Sequence, residues 1–417
     1  MKKQLKYLAP IIVSFATFTV FIEQSFIYGW MLYGLAIILT FFYYPQYFKS
    51  SVFIAIIVYI LFVFVKFLLG DSYFNEIKTV YKEFVVLLVP TALTFMVLQK
   101  YDKIAVKYTI ILFFIMLTYT TVVSFVMDLM QPGIIRRLAV VAFNGESTEV
   151  FQPYFKMGLS NYYLPHAIPP LILPVCLGIR NKDFKGKISI YLWIILFLML
   201  LLSFLSGATT SLILSVIAVI MGFILRKGTL KDNLPLFVFL PVLLAVVLNK
   251  TILVQFLFLL ENIFRDTYFH GKIILFQDAL LYGDVTGGDA GERMELYDSS
   301  LNVFENNLLF GSNSKTLGHS SIFERLAHLG ILGFLPFILV IFQQASLVMK
   351  HLERNGKSHY IVGLVLALAM ITIKNMIYWE IMVVMFTLLP LSIIILGGHS
   401  TKKEIKISGS HQTSHLL

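Results

Sequence analysis

Long apolar segments follow one another along almost the whole of this 417-residue chain. A helix of about 20 apolar residues can cross the hydrocarbon core of a bilayer, and it satisfies its own backbone hydrogen bonds. Hydrophobic residues make up 58% of the sequence and charged residues only 13%, whereas about 25% of the residues in soluble domains are charged. The sequence therefore predicts an all-α, polytopic integral membrane protein and excludes a soluble one.

About twelve membrane-spanning helices are predicted from the apolar runs between charged breaks. The first run lacks a small-residue cleavage site and leads directly into the next, so we expect no cleavable signal peptide. No repeat is visible along the chain, and residues 1–417 are expected to form a single membrane domain. The predicted spans lie near 7–22, 26–45, 51–69, 84–98, 107–130, 164–179, 188–205, 208–225, 234–249, 322–347, 359–377 and 379–397.

The orientation of the spans explains the net charge of +10. Twelve spans place both termini on one side, and 20 of the 33 basic residues fall in the termini and short connections of that side. Because basic residues concentrate in cytoplasmic segments, both termini are predicted to be cytoplasmic. The charge therefore gives no reason to expect a nucleic-acid partner. The 20 residues are Lys2, Lys3, Lys6, Lys49, Lys100, Lys103, Lys107, Arg180, Lys182, Lys185, Lys187, Arg226, Lys227, Lys231, Lys350, Arg354, Lys357, Lys402, Lys403 and Lys406.

Two sizeable loops are predicted on the opposite, outer face. One covers 131–163, and the other covers 250–321 between spans nine and ten. The remaining connections are only as long as turning requires, so function is expected in these two loops. The single cysteine, Cys176, excludes an intramolecular disulfide and a cysteine-based metal cluster, and we predict neither a metal nor a cofactor.

The large outer loop contains a run with helical periodicity. Tyr297, Leu301, Phe304 and Leu308 recur at helical spacing, which predicts an amphipathic helix lying against the membrane domain. Arg293 lies one turn before Tyr297 on the same stripe, so we expect its guanidinium to point inward. The alternative interpretation is a solvated surface arginine.

A second motif, Gly311-Ser-Asn-Ser-Lys-Thr-Leu-Gly-His-Ser-Ser-Ile-Phe-Glu-Arg325, leads into the tenth span. Ser321 and the glutamate three residues later have the spacing of a capping box, so a helix should begin at about Ile322. His319 then lies just outside a helix N-terminus, with Arg325 in the first turn. Such an end favours anions, and a histidine there can exchange a proton near neutral pH. The alternative is that both residues contact lipid headgroups.

Several other residues within or beside the predicted spans have structural interpretations. Gly330 and Gly333 are expected to allow close helix packing. Lys66 lies inside the third span and is expected to snorkel to the outer interface. Lys374 and Glu380 flank the outer turn between the last two spans, where they could pair.

The order of these motifs resembles the signature of the bacterial O-antigen ligase and polysaccharide polymerase family. The resemblance rests on Arg293 with an aromatic residue four positions later, on Gly311-Ser-Asn, and on His319 before a span containing Leu329-Gly-Ile-Leu-Gly333. The layout of spans, with inside termini and a large outer loop between spans nine and ten, is similar as well. Matching at the level of residues is confined to about 290–335.

The resemblance implies an activity. Family members transfer a glycan from an undecaprenyl diphosphate carrier to an acceptor without a metal or a nucleotide sugar. Arg293 would help hold the diphosphate, and His319 would activate the acceptor hydroxyl. The implied partners are undecaprenyl-diphosphate-linked oligosaccharide, membrane lipids and other polysaccharide assembly proteins, at the outer face of the bacterial cytoplasmic membrane.

A polymerase that joins repeat units into a capsule, exopolysaccharide or O-antigen is the preferred expectation. A ligase that transfers glycan to a lipid or protein acceptor is the first alternative. A lipid-linked glycan flippase is the second, although a transporter should show internal repeats and charges near the bilayer midplane. A membrane scaffold is the third, and it would tolerate substitution of the outer-loop charges.

The sequence departs from the family pattern at two places. Ser320 follows His319 where the family commonly has asparagine, and Leu205-Ser-Gly-Ala-Thr-Thr-Ser211 lacks the Ser-Arg pair often found at the start of the eighth span. Another cation must then replace the missing arginine at the diphosphate. For the arginines of the first outer loop, lipid headgroup anchoring is the alternative interpretation. The candidate cations are Arg325, Arg136, Arg137, Lys78 and Lys82.

Overall fold

The computed structural model describes the protein over most of its predicted spans and part of the large outer loop. The described residues are 34–35, 37–42, 44–70, 76–100, 103–131, 134–135, 153–154, 157–160, 163–181, 184–206, 208–225, 232–233, 258–262, 265, 270, 273–274, 277, 289–313, 320–352, 354–373 and 378–397. All regular structure among them is helical, which confirms the predicted all-α class.

The helices are named here in chain order. After a 3₁₀ helix at Pro45–Lys49 come α1 (Ser51–Leu68), α2 (Ile77–Lys100), α3 (Lys103–Met130), α4 (Tyr163–Ile179), α5 (Lys187–Leu205), α6 (Thr209–Ile224), α7 (Asp289–Asn306), α8 (Ser321–His351), α9 (Arg354–Ile373), α10 (Tyr378–Val383), a π-helical segment Val384–Leu388, and α11 (Leu389–Leu396).

Within this part of the chain, five helical segments are long and apolar enough to cross a membrane. Three shorter apolar helices, Leu164–Ile179, Thr210–Ile224 and Glu380–Leu396, also coincide with predicted spans. The predicted spans near 7–22 and 234–249 lie outside the described residues, so the number twelve stays a prediction. The five segments are Ser51–Leu68, Ile110–Met130, Lys187–Leu205, Ser321–His351 and Gly356–Ile373.

Helix α4 lies at the centre of one half of the core. Its residues from Leu164 to Leu177 are buried, although the helix contains three prolines. Prolines are tolerated in membrane helices because neighbouring helices satisfy the backbone groups that they free. Gly222 lets α6 approach α4 closely, because a Cβ added to it would lie 2.6 Å from the Cβ of Cys176 in α4. The surrounding elements are α5, α6, α9 and α11.

Helices α1 and α8 form an antiparallel pair in the other half. The Ser51 hydroxyl at the start of α1 donates to the Gln343 side chain, 2.8 Å away, near the end of α8. Farther along the pair, a Cβ added to Gly333 would lie 2.5 Å from the Phe62 ring. The prediction that Gly333 permits close helix packing is confirmed.

Gly330 does more than permit packing, because it interrupts α8. Its φ of 60° and ψ of −172° are non-helical, so α8 consists of Ser321–Leu329 and Ile331–His351. The backbone N–H groups of Ile331 and Leu332 donate instead to the carbonyls of Leu308 and Leu309, at 2.8 and 3.1 Å. The segment that follows α7 thus completes the hydrogen bonding of the broken helix.

Candidate functional site

Helix α7 lies against the bundle as the periodicity of the outer loop predicted. The Tyr297 hydroxyl donates to the carbonyl of Ile373 at the end of α9, 2.7 Å away. Its ring packs edge-to-face on Phe323 in the first turn of α8, with centroids 5.6 Å apart. The predicted stripe is wrong at Leu308, which is 48% exposed because the helix already ends at Asn306.

Arg293 belongs to α7, one turn before Tyr297. The side chain of Arg293 is outside the described residues, so its predicted inward direction stays a prediction. The structure does describe the backbone of α7, the helix to which Arg293 belongs. Because Tyr297 contacts both α8 and α9, α7 brings the backbone of Arg293 to the end of the bundle at which α8 begins.

The N-terminus of α8 is capped by a residue adjacent to the predicted one. Ser320 has an extended backbone, and its hydroxyl accepts a hydrogen bond from the N–H of Phe323 at 3.2 Å. Helix α8 therefore begins at Ser321, and the prediction that Ser321 is the cap is wrong by one position. His319 directly precedes the cap and lies outside the described residues.

Arg325 is buried in an ion pair rather than open to solvent. Only 2% of its side chain is exposed, and its Nη2 lies 2.7 Å from the Glu83 carboxylate of α2. Its Nη1 donates to the Ser321 carbonyl at 3.1 Å, and the guanidinium lies 5.5 Å from the centroid of the Phe337 ring. The Tyr59 hydroxyl of α1 donates to the other oxygen of Glu83 at 2.9 Å. Arg325 thus ties α8 to α1 and α2.

Glu83 and Tyr59 are not among the residues predicted from the sequence. A signal for the pair did exist, because Glu83 and Arg325 both lie at the edges of apolar runs. A charge held at membrane depth needs a partner or an aqueous neighbour. The sequence leaves open which of the helices would supply that partner.

The other predicted cations differ in their surroundings. Lys78 is exposed and pairs with its neighbour Glu76. Lys82, one turn later on α2, is also exposed and interacts electrostatically with Glu83 and with Glu380 of α10, a buried residue. Arg136, Arg137 and Lys374 lie outside the described residues, so their predicted contacts are not tested.

Lys66 does not snorkel to the interface as predicted. Its side chain is only 4% exposed, and its Nζ donates to the Asn313 side chain at 3.2 Å. Asn313 belongs to the Gly311-Ser-Asn motif, so a buried cation of α1 holds that motif. The prediction failed because it used only the length of the lysine side chain. Whether a loop residue such as Asn313 lies within reach as an acceptor depends on the fold of the outer loop.

The same motif is fixed to α8 from the other side. The N–H of Ser312 donates to the Ala327 carbonyl at 2.8 Å, and the carbonyl of Ser312 lies 3.4 Å from Nδ1 of the buried His328. Gly311 has a φ of 68°, and a Cβ on it would lie 2.3 Å from the backbone carbonyl of His328. A glycine is therefore required at Gly311 for the motif to reach α8.

These contacts assemble one end of the bundle. The end of α1, the starts of α2, α8 and α10, and helix α7 meet there, together with the Gly311-Ser-Asn motif. Among the described residues, no group of three His, Cys, Asp or Glu side chains is arranged to hold a metal ion. The groups assembled there are hydrogen-bond donors, acceptors and paired charges that bond to one another.

Comparisons of this chain with protein-family models and with curated proteins found no match. The resemblance to the O-antigen ligase and polysaccharide polymerase family therefore rests on the order and spacing of the motifs and on the predicted layout.

Proposed function

We propose that this chain is a membrane glycosyltransferase that polymerises undecaprenyl-diphosphate-linked oligosaccharide repeat units into a surface polysaccharide. The reaction takes place at the outer face of the bacterial cytoplasmic membrane. The observation that carries the proposal is the packing of Tyr297 on Phe323. It brings the helix of Arg293 to the N-terminus of α8, where His319 directly precedes the capping residue Ser320.

The proposed chemistry is a displacement at the anomeric carbon of the donor glycan. The acceptor hydroxyl oxygen forms a bond to that carbon, and its proton passes to His319. The bond from the anomeric carbon to the diphosphate oxygen breaks, and undecaprenyl diphosphate leaves with the electron pair. Arg293 stabilises the negative charge that builds on the diphosphate, which is an electrostatic contribution of the kind that dominates many transfer reactions.

The remaining predicted cations take different parts in this proposal. Arg325 is paired with Glu83, so we give it the task of holding the first turn of α8 in place. Lys82 is exposed beside that pair and is the described cation best placed to meet an anionic substrate. Arg136 and Arg137 of the first outer loop stay candidates for the same task.

A lipid-linked glycan flippase is the second candidate function. The buried pair Arg325–Glu83 and the buried Lys66 favour it, because charges held at membrane depth often mark a transport path. A ligase with a lipid or protein acceptor shares the chemistry of the polymerase and differs in the acceptor alone. A polymerase makes longer glycans from purified units, whereas a flippase moves the units without joining them.

The substitution His319→Ala tests the proposal. The purified protein is placed in proteoliposomes with lipid-linked repeat units isolated from a host strain that lacks this chain, and the length of the glycans is measured. The wild-type protein should lengthen them, and His319→Ala should abolish lengthening because the proton acceptor is gone. His351→Ala is a matched control, since His351 is an exposed histidine at the far end of the same helix.

Two results would count against the proposal. Lengthening at the wild-type rate by His319→Ala would remove His319 from the reaction. Transfer of intact units across the bilayer by the wild-type protein, without lengthening, would favour the flippase instead.

A further inference from the structure

The segment between α7 and the motif carries three consecutive exposed apolar residues. Leu308, Leu309 and Phe310 are 48%, 57% and 60% exposed. They lie beside the break in α8, because the carbonyls of Leu308 and Leu309 accept from the N–H groups of Ile331 and Leu332. We call Leu308–Phe310 the apolar wedge.

The depth of the wedge can be measured against α1. Gly333 lies beside Phe62, so that contact fixes a common level on the two antiparallel helices. With a rise of 1.5 Å per residue, Gly330 is about 4.5 Å nearer the predicted outer side than that level, and Leu68 is about 9 Å nearer. Leu68 ends the apolar exposed face of α1 and is 65% exposed. The wedge therefore lies at a depth where α1 still presents an apolar surface.

The surface of α8 that follows the break at Gly330 is also apolar. Exposed large apolar side chains occur in α8 at Ile331, Leu332, Leu335 and Leu339, all beyond the break. The wedge borders the first two of these through its backbone hydrogen bonds. It is thus continuous with a helix face of the kind that lipid covers in a membrane protein.

The backbone of the wedge is suited to a place within the bilayer. Non-helical backbone is tolerated there where its polar groups are satisfied by protein. Besides the two bonds to Ile331 and Leu332, the N–H of Gly311 donates to the Asn307 carbonyl at 2.8 Å, and that of Ser312 donates to Ala327. Because α8 is broken there, its Ile331 and Leu332 N–H groups satisfy the carbonyls of Leu308 and Leu309, which a bilayer could not do.

We propose that the apolar wedge is embedded in the outer leaflet, where Leu309 and Phe310 contact lipid acyl chains. Part of the segment that follows span nine is then a membrane-inserted element, and it anchors the Gly311-Ser-Asn motif at a fixed depth. The occupant of this surface is the bilayer itself. The inference does not depend on the proposed enzymatic activity.

Spin labels test this placement directly. Phe310→Cys and Leu309→Cys are labelled with a nitroxide in liposomes, and the relaxation of each label by oxygen and by a water-soluble nickel chelate is compared. Leu339→Cys on the exposed face of α8 is the lipid-facing reference, and Asn302→Cys on the exposed polar side of α7 is the aqueous reference. The native Cys176 is buried, so unsubstituted protein treated in parallel gives the blank.

Both wedge labels should resemble the label at Leu339, with strong relaxation by oxygen and loss of relaxation by the chelate. The proposal is overturned if either wedge label is relaxed by the chelate as strongly as the label at Asn302. Each variant is compared with the unsubstituted protein by thermal unfolding first, so that a misfolded sample is not scored. Glycan lengthening is not part of the readout, so failure here leaves the proposed function to its own test.

Discussion

Arg325 and Glu83 form an ion pair whose side chains are only 2% and 7% exposed. Removing one member of such a pair leaves an uncompensated buried charge, which costs about 3–5 kcal/mol. We therefore expect Arg325→Met and Glu83→Gln each to lower the free energy of unfolding by that amount. The double variant should recover a large part of the loss, because no unpaired charge is left. Unfolding in detergent measures all three.

A matched control for this cycle is Lys78→Met. Lys78 is also a cation of the same end, but it is 80% exposed, and its partner Glu76 is 48% exposed. Surface pairs contribute about 0–1 kcal/mol, so Lys78→Met should have little effect. The structure indicates that the two side chains stabilise each other. That is contradicted if the losses of unfolding free energy from Arg325→Met and Glu83→Gln simply add in the double variant.

Arg293 offers a second test with a single residue. If Arg293 binds a diphosphate, its planar guanidinium donates two parallel hydrogen bonds that a lysine cannot reproduce. Arg293→Lys should then reduce glycan lengthening in proteoliposomes on the order of a hundredfold, which corresponds to roughly 3 kcal/mol in the transition state. A headgroup anchor would tolerate the change, because lysine also snorkels to phosphates. Near-normal lengthening would therefore direct attention to Arg136 and Arg137.

At the scale of elements, the break in α8 depends on Gly330. A Cβ at this position would lie 2.4 Å from the Leu309 carbonyl oxygen and 2.5 Å from the Gly311 nitrogen. Both atoms are backbone: the Leu309 oxygen accepts from the N–H of Leu332, and the Gly311 nitrogen donates to the Asn307 carbonyl, so a shift of either would disturb a hydrogen bond. Since the φ of 60° is also unfavourable for other residues, we expect Gly330→Ala to cost more than the 1–3 kcal/mol typical of backbone strain alone. Thermal unfolding in detergent measures this.

Gly70 separates the two causes. It follows α1 with a φ of 75°, but a Cβ there would meet nothing within 4 Å. Gly70→Ala should therefore show backbone strain without a clash, and it should be milder than Gly330→Ala. Equal effects of the two substitutions would mean that the close approach of the segment after α7 to the break contributes nothing to stability.

At the scale of the whole molecule, the prediction concerns orientation. The termini and the connections on their side carry 20 of the 33 basic residues, so both termini should be cytoplasmic and 250–321 should be outside. Reporter fusions at Lys231 and at Asp289 should score on opposite sides of the membrane. Finding both on the same side would contradict the predicted topology and, with it, the outer location of the site.

The sequence by itself determined the helical class, the position of most described helices and the presence of α7. These features follow from local patterns: apolar length decides whether a helix can span, and the periodicity of Tyr297, Leu301 and Phe304 decides which face packs. Helix starts are local as well, and the predicted start of α8 was in error by one residue because both Ser320 and Ser321 can cap. Local backbone hydrogen bonding and burial are sufficient for such predictions.

Only the tertiary structure decided which polar groups meet. Arg325 and Glu83 are 242 residues apart, and Lys66 and Asn313 are 247 apart. The sequence showed that charges at membrane depth need partners, but the choice of partner depends on which helices pack side by side. The break at Gly330 was also decided by the tertiary structure. A glycine in an apolar run is equally compatible with close helix packing and with a break, so the sequence does not distinguish them. The left-handed backbone of Gly330 is stable here because Leu308 and Leu309 accept the hydrogen bonds of the residues that follow it.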